Sequence, residues 1–473
     1  MELLNNLVGI VNELLWSKVL IIMLITLGLY FTFRTKFVQF RFFGEMFRLL
    51  GDGAKGEKNE GAVSSFQAFC ISTASRVGTG NIAGIAMAVV AGGPGSVFWM
   101  WLIALIGSAS SFVESTLAQI FKIKDGEGFR GGPAYYMEQG LKSKGMGVAF
   151  SILITICFGF IFNAVQSNTI TAAFNNAFGM NRLVIGLILA ALTGVIIFGG
   201  VHRVAKVSEI IVPIFAVLYI LVSLFVVVIN IGEIPGIIKA IFESAFGLRE
   251  MAVGSMSGMI LVGIKRGLFS NEAGMGSAPN AAATADVTHP VKQGLIQTLG
   301  VFTDTIVICS CTAFMILLYS DYATAGLEGI ELTQAALSSQ IGPIGNVFIA
   351  ICILLFAFSS IVGNYYYGES NIEFMSKNKT ILNVFRAMVV GMVLFGSVAK
   401  VQLVWDLADV FMGIMAVINL VAIALLGKYA FIALKDYSDQ KNAGIKEPVF
   451  DASNIAGLEN VECWKEEREE KVV

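Results

Sequence analysis

Two short segments carry residue types and spacings that could do chemistry inside an otherwise apolar chain: Arg76-Val-Gly-Thr-Gly-Asn-Ile-Ala83 and Glu272-Ala-Gly-Met-Gly-Ser-Ala-Pro279. One constant shift of the sequence lays Gly78 on Gly274, Gly80 on Gly276, Ala86 on Ala282 and Pro94 on Pro290, without a gap. Paired glycines in a hydrophobic helix allow the helix to break. A break leaves unpaired N–H groups on one stub and unpaired C=O groups on the other. In lipid such groups survive only where protein or a water-lined cavity satisfies them. The N–H stub suits an anion such as a carboxylate, and the C=O stub suits an ammonium or a metal cation. A zwitterion with its two charges three atoms apart matches both. Close helix packing is the competing explanation for one Gly-x-Gly. Two of them at repeat-related places, each beside an ionisable residue, favour a site. A dinucleotide fingerprint is excluded, because no strand precedes Gly78 and the third glycine is misplaced.

The elements that must hold these segments follow from composition. Of 473 residues, 56% are hydrophobic and 14% charged, and the mean hydropathy is +0.76. A soluble chain carries about a quarter charged residues, so lipid must cover much of this one. A net charge of −2 without a basic block excludes nucleic-acid binding as the main role. Only the charged tail after about residue 436 has a disorder-like composition. The six cysteines give no disulfide framework, and with two histidines, His202 and His289, an ordinary metal site is not expected. No Ser/His/Asp set or carboxylate pair is assignable, so the chain does not read as an enzyme. No secretory signal precedes the first apolar stretch.

Eleven apolar windows are long enough to cross ~30 Å of hydrocarbon: 15–33, 62–90, 96–121, 147–175, 183–200, 207–230, 252–285, 293–319, 343–368, 381–398 and 402–427. Alternating the loops between two sides puts Arg34, Lys36, Arg41, Arg48, Lys122, Lys124, Arg130, Lys142, Lys292, Lys379 and the basic residues of the tail together. The other side holds Arg182, Lys239, Arg249 and Lys400. The positive-inside rule then places the N-terminus outside and the C-terminus in the cytoplasm. The glycine segments open the second and seventh windows, and so begin two sets of five. Five is odd, so the sets insert with opposite polarity, as in secondary transporters with inverted repeats. The expected divisions are 1–61 (an extra helix and loop), 62–230 and 231–428 (the repeats), and 429–473 (the tail).

Five longer stretches carry a family resemblance: Ser75-Arg-Val-Gly-Thr-Gly-Asn-Ile-Ala-Gly-Ile-Ala86, Gly92-Gly-Pro-Gly-Ser-Val-Phe-Trp-Met-Trp101, Phe129-Arg-Gly-Gly-Pro-Ala-Tyr-Tyr136, Gly267-Leu-Phe-Ser-Asn-Glu-Ala-Gly-Met-Gly-Ser-Ala-Pro279 and Phe358-Ser-Ser-Ile-Val-Gly-Asn-Tyr-Tyr-Tyr-Gly-Glu369. Through them the chain resembles the alanine or glycine:cation symporter family over nearly its whole length, with Ser360 where many relatives have Thr. The resemblance implies an all-α LeuT-type fold and uptake of a small neutral amino acid, alanine or glycine, by a plasma-membrane carrier. Na⁺ is the implied coupling ion and H⁺ the other candidate, with no organic cofactor and a monomeric chain in the bilayer. A sensor or channel on the same fold is the alternative function.

On this resemblance Ser75, Gly78, Thr79 and Gly80 of the first break are expected to meet the substrate carboxylate. Phe269, Ser270 and Asn271 line the second break, Phe269 as a wall. Asn163 and Gln166, three residues apart on the fourth window, are candidate polar partners, against the alternative of ordinary interhelical hydrogen bonds. Ser359 and Ser360, with the carbonyls of Ala74 and Val77, resemble a sodium site built of oxygen ligands, as a hard cation requires. Arg76 and Glu272 are expected to form a charge pair, or a network with Glu114 or Asp304, because charges at membrane depth are costly unless paired or functional. Asp406 and Asp409 are placed at the outer rim, and Trp99 and Trp101 as interfacial anchors.

Overall fold

Long apolar runs with few prolines and charges dictate long helices, since in hydrocarbon the chain must satisfy its own backbone. The computed structural model describes residues 2–55, 63–126, 128–247 and 255–464. Lys58, Arg249 and the tail beyond Trp464 lie outside them. In chain order the helices are α1 (Val8–Arg34), α2 (Phe43–Lys55), α3 (Ser65–Arg76), α4 (Gly80–Gly92) and α5 (Gly95–Ile120). A two-stranded hairpin, Ile123–Asp125 with Gly128–Arg130, follows. Then come α6 (Lys144–Phe178), α7 (Arg182–Ile197), α8 (Ser208–Ile229), α9 (Ile234–Ala245), α10 (Met256–Asn271) and α11 (Ala278–Ala282). The chain continues through α12 (Pro290–Leu317), α13 (Gly329–Ile341), α14 (Ile344–Met375), α15 (Lys379–Val398) and α16 (Val401–Asn442).

Among the described residues eight helices are long and apolar enough to cross a membrane, and α3 with α4 makes a ninth, bent by 48°. The expected fifth and seventh windows differ. The helix α7 has 16 residues, about 24 Å at 1.5 Å per residue, short of a full crossing. The seventh window is interrupted between α10 and α11, where Glu272 (φ 56°), Gly274 (φ 86°) and Gly276 (φ 81°) turn left-handed.

The two broken segments run antiparallel. A β-bridge sets Val63, just before α3, beside Ala285, just after α11. At the other end, Gly92 closing α4 lies against Met259 opening α10. The breaks meet between these ends, where a Cβ on Gly80 would sit 2.8 Å from the Phe269 ring. Among the described residues four helices widen into π-helical turns: Leu15–Leu20, Gly80–Gly84, Thr155–Phe162 and Phe302–Cys309. Such turns often mark functional sites.

Around this centre, helices present apolar faces outward. Ile214, Val217, Leu221 and Leu224 of α8 are exposed, whereas Tyr219, Ser223 and Val226 face inward. Three of the loops expected on the cation-rich side touch the C-terminal segment. Glu45 accepts from Tyr437 (2.6 Å) and lies 3.4 Å from Lys441; Lys292 bonds Glu447; Lys142 bonds Glu459 at 2.8 Å.

The tail departs from its composition. From Phe450 to Trp464 it folds back as an ordered strap, with Phe450, Ile455, Leu458 and Val461 buried. Trp464 donates to the Gln119 carbonyl (2.8 Å), and the backbone N–H of Phe450 to Thr288 (2.9 Å). The strap presses on Lys122 and His289, and burial depresses both bases, Lys122 to about 8. Trp101, expected as an anchor, donates its indole N–H to Ser310 (2.8 Å). Asp409 is buried, not at the rim, and pairs with Arg266 (2.6 Å) and Lys265 (3.2 Å).

Candidate functional site

The first break follows from one displaced hydrogen bond. Ser64 and Gln67 start α3 with a reciprocal cap, and the helix runs to Arg76. In a continuous helix the N–H of Gly78 would bond the carbonyl of Ala74. It instead donates to Oδ1 of Asn81 (3.0 Å), which leaves the Ala74 carbonyl without its helical donor. The Ser360 hydroxyl fills that gap, donating to Ala74 (2.8 Å) and lying 3.2 Å from the Val77 carbonyl. Three oxygens from α14 and the end of α3 therefore converge. Gly78 makes the approach feasible, since a Cβ there would collide with the Ser360 hydroxyl and lie 2.7 Å from Oε1 of Gln166.

On the other side of the break the N–H of Thr79 donates to Oε1 of Gln166 (2.9 Å). This N–H starts α4, so it carries the partial positive charge of a helix start. Phe269 closes the space above Gly80, its ring held between Phe162 (centroids 4.6 Å apart, stacked) and Trp405 (4.7 Å). Side chains also tie the two breaks together. Asn81 donates to Ser270 (2.9 Å) and to Asp304, and Ser270 donates to Asp304 (2.7 Å). Ser75 lies within hydrogen-bond distance of Glu272 (3.0 Å) and Asn364 (2.6 Å).

The structure thus brings together Ser75, Gly78, Thr79, Gly80, Gln166, Phe269, Ser270 and Ser360 with the carbonyls of Ala74 and Val77. Five expected residues stand apart from that arrangement. Asn163 bonds back to Gly159 of its own helix (3.0 Å). Among the described residues Ser359 likewise bonds only Phe356 (2.8 Å), one turn back. Asn271 accepts from Ala273 (3.0 Å) in the local turn. Arg76 and Glu272 do not pair: Nη1 of Arg76 donates to the Gln297 carbonyl (3.3 Å), and Glu272 takes the Ser75 and Ser277 hydroxyls. Among the described residues the Arg76 guanidinium has no carboxylate within 4 Å.

Sequence reasoning passed over Asn81, Asn364, Phe162 and Trp405. For Asn81 a signal existed: an amide one residue past Gly80, in a segment already singled out. For the two aromatics none did, because Phe and Trp in apolar helices are ordinary.

The family model described as the sodium:alanine symporter family matches residues 1–452. This chain belongs to that family. It is 59% identical to the probable sodium/glutamine symporter GlnT of Bacillus subtilis, over 98% of this chain and 96% of that one. It is 56% identical to the amino-acid carrier protein AlsT of the same organism, over 98% and 99%. With the sodium/alanine symporter AgcS of Methanococcus maripaludis it shares 37%, over 92% and 97%. The family is one of transporters, so this chain is a multi-pass membrane transporter and not an enzyme. Among solved structures, MhsT in complex with L-phenylalanine aligns with a TM-score of 0.55 at 16% identity, over 82% of this chain and 99% of that one. A manganese transporter of Eremococcus coleocola gives 0.52 at 12%, over 80% of each. The LeuT-type fold is therefore shared by carriers of unlike cargo, and the fold does not choose the substrate.

Proposed function

We propose that this transporter couples uptake of a small neutral amino acid, alanine or glycine, to a sodium gradient by alternating access. Eleven spans, with the N-terminus outside and the C-terminal strap in the cytoplasm, give it two inverted sets of five and one extra helix. The observation that carries the reading is the first break. There the N–H of Thr79 meets an amide oxygen of Gln166 (2.9 Å), and three oxygens of Ala74, Val77 and Ser360 converge one turn away.

A substrate carboxylate oxygen has the same acceptor chemistry as the Gln166 amide and a full charge besides. It takes that place at the start of α4 more strongly, with Gln166 turning to contact it. Sodium, a second cargo, sits on the Ala74, Val77 and Ser360 oxygens, whose hardness suits it. Binding both closes the break. The Phe269 ring, braced by Phe162 and Trp405, limits the side chain to roughly a methyl group. An extra methylene costs only about 1–3 kcal/mol of discrimination, so glutamine, the cargo in the name of a 59% identical relative, is the rival to include.

Purified transporter in liposomes, given labelled alanine, glycine or glutamine under a Na⁺ or an H⁺ gradient alone, decides. Saturable alanine or glycine uptake that needs the Na⁺ gradient is expected. Flux without any gradient indicates a channel, binding without flux a sensor, and a preference for glutamine overturns the size argument.

A further inference from the structure

The second break presents the same kind of unpaired N–H groups as the first, yet a side chain of the protein already answers them. Glu114, fully buried in α5, accepts from the N–H of Gly274 through Oε1 and from the N–H of Gly276 through Oε2, each at 3.1 Å. A third donor is Nδ2 of Asn419, at 2.8 Å from Oε2. Among the described residues every group bonded to the carboxylate is an N–H donor, the partner set that an acceptor-only carboxylate takes.

Both glycines have positive φ, 86° and 81°, and these left-handed turns bring the N–H groups of Gly274 and Gly276 to one carboxylate while the N–H of Met275 between them bonds the Glu272 carbonyl (3.1 Å). Asn419 also holds the Gly274 carbonyl (2.9 Å) and accepts from the Tyr136 hydroxyl. One carboxylate thereby joins α5, the second break, α16 and the short helix Pro133–Gln139.

We propose that Glu114 is a positioning residue for transport: it is the resident anion of the second break, and it holds that break in shape so that the substrate carboxylate has only the first to occupy. A helix break without an anion would either collapse or compete for substrate. With Glu114 in place, the second break turns as one body with α5 and α16 while Ser270 and Phe269 keep their places facing Gly80. The residue touches no cargo. Its loss therefore slows turnover more than it weakens substrate binding.

The inference rests on the transport reading, so wild-type uptake is measured first; failure of that reading shows there, and failure of this one only in the variants. Glu114→Gln keeps the shape and one acceptor oxygen but loses the other and the charge. It is expected to lower maximal uptake about tenfold with KM within about twofold of wild type. Glu114→Ala exposes the N–H concavity. Its uptake, low in chloride-free gluconate, is expected to rise severalfold in formate, a carboxylate small enough to take the seat, while wild type is indifferent to the exchange. Normal maximal uptake by Glu114→Gln overturns the proposal. So does a Glu114→Ala protein that folds and binds substrate but ignores formate. A Glu114→Ala protein that fails to fold even in formate, beside a Glu114→Gln protein that transports normally, marks the residue as structural only and overturns it too.

Discussion

The two broken helices suffer the same interruption and resolve it in opposite ways. At the first break the exposed groups meet neutral partners: Gly78 donates to Asn81, Thr79 to Gln166, and the Ala74 carbonyl accepts from Ser360. Each of those partners can turn aside. At the second break the N–H groups of Gly274 and Gly276 meet a fully buried carboxylate, proposed above as the resident anion, that is itself held by Asn419. Hydrogen bonds to an ionised group are roughly twice as strong as neutral ones. The lesson is a division of labour within the repeat: the break with exchangeable partners can accept cargo, and the break with a fixed partner frames it.

The largest effect separating the two breaks is expected from adding one methyl group to each. Gly78→Ala drives its Cβ into the Ser360 hydroxyl and to 2.7 Å from Oε1 of Gln166, the two groups placed on cargo. Overpacking of this kind costs about 1–3 kcal/mol, and here it falls on the site, so uptake drops about 10–100-fold while the protein stays folded. Gly274→Ala places its Cβ 3.1 Å from a flexible Leu420 side chain, and its penalty is the left-handed backbone, about 1–2 kcal/mol. It lowers the melting temperature and leaves substrate KM near wild type. Uptake kinetics with a thermal melt on both variants checks the pair. If Gly274→Ala raised KM as much as Gly78→Ala, both breaks would be cargo sites and the comparison would fail.

A smaller effect sharpens the first break alone. Ser360→Ala removes the hydroxyl that meets both α3 carbonyls, a bond of about 1 kcal/mol, and should raise the half-saturating Na⁺ concentration about five- to tenfold. Ser359→Ala removes a hydroxyl that bonds only its own helix and should change it less than about twofold. Na⁺ titration of alanine uptake separates them. Equal shifts would return both hydroxyls to the cation.

That contrast shows why some of the site could be read from the chain and some could not. The positions of the breaks were legible, because the repeat register marks a glycine pair twice, each beside an ionisable residue, which helix packing alone does not require. The antiparallel arrangement of the two broken segments was expected from five apolar windows in each set. Which of two adjacent serines faces the break was not legible, because neighbours on a helix point about 100° apart and the family pattern names both. The strap from Phe450 to Trp464 was hidden for a different reason. Its apolar residues are spaced singly among charges, so composition reads as solvated although Phe450, Ile455, Leu458 and Val461 are buried. The partner of Glu114 was invisible, since backbone N–H groups carry no letter in the sequence.

The smallest expected effect concerns Arg76 and Glu272, which the repeat register makes equivalent. Equivalence under an inverted repeat means relation by an axis lying in the membrane, and residues so related touch only if they lie on that axis. These two do not: Glu272 is held by Ser75 and Ser277, and Arg76 by the Gln297 carbonyl. Single reversals, Arg76→Glu or Glu272→Arg, bury a wrong charge and should each be severe. The double reversal should rescue nothing, with a coupling below about 0.5 kcal/mol in a double-mutant cycle on uptake, as expected for groups without a shared contact. Recovery of transport in the double variant would mean that the two charges meet elsewhere in the transport cycle. The second break would then exchange partners as the first does, and its fixed character would be confined to one state.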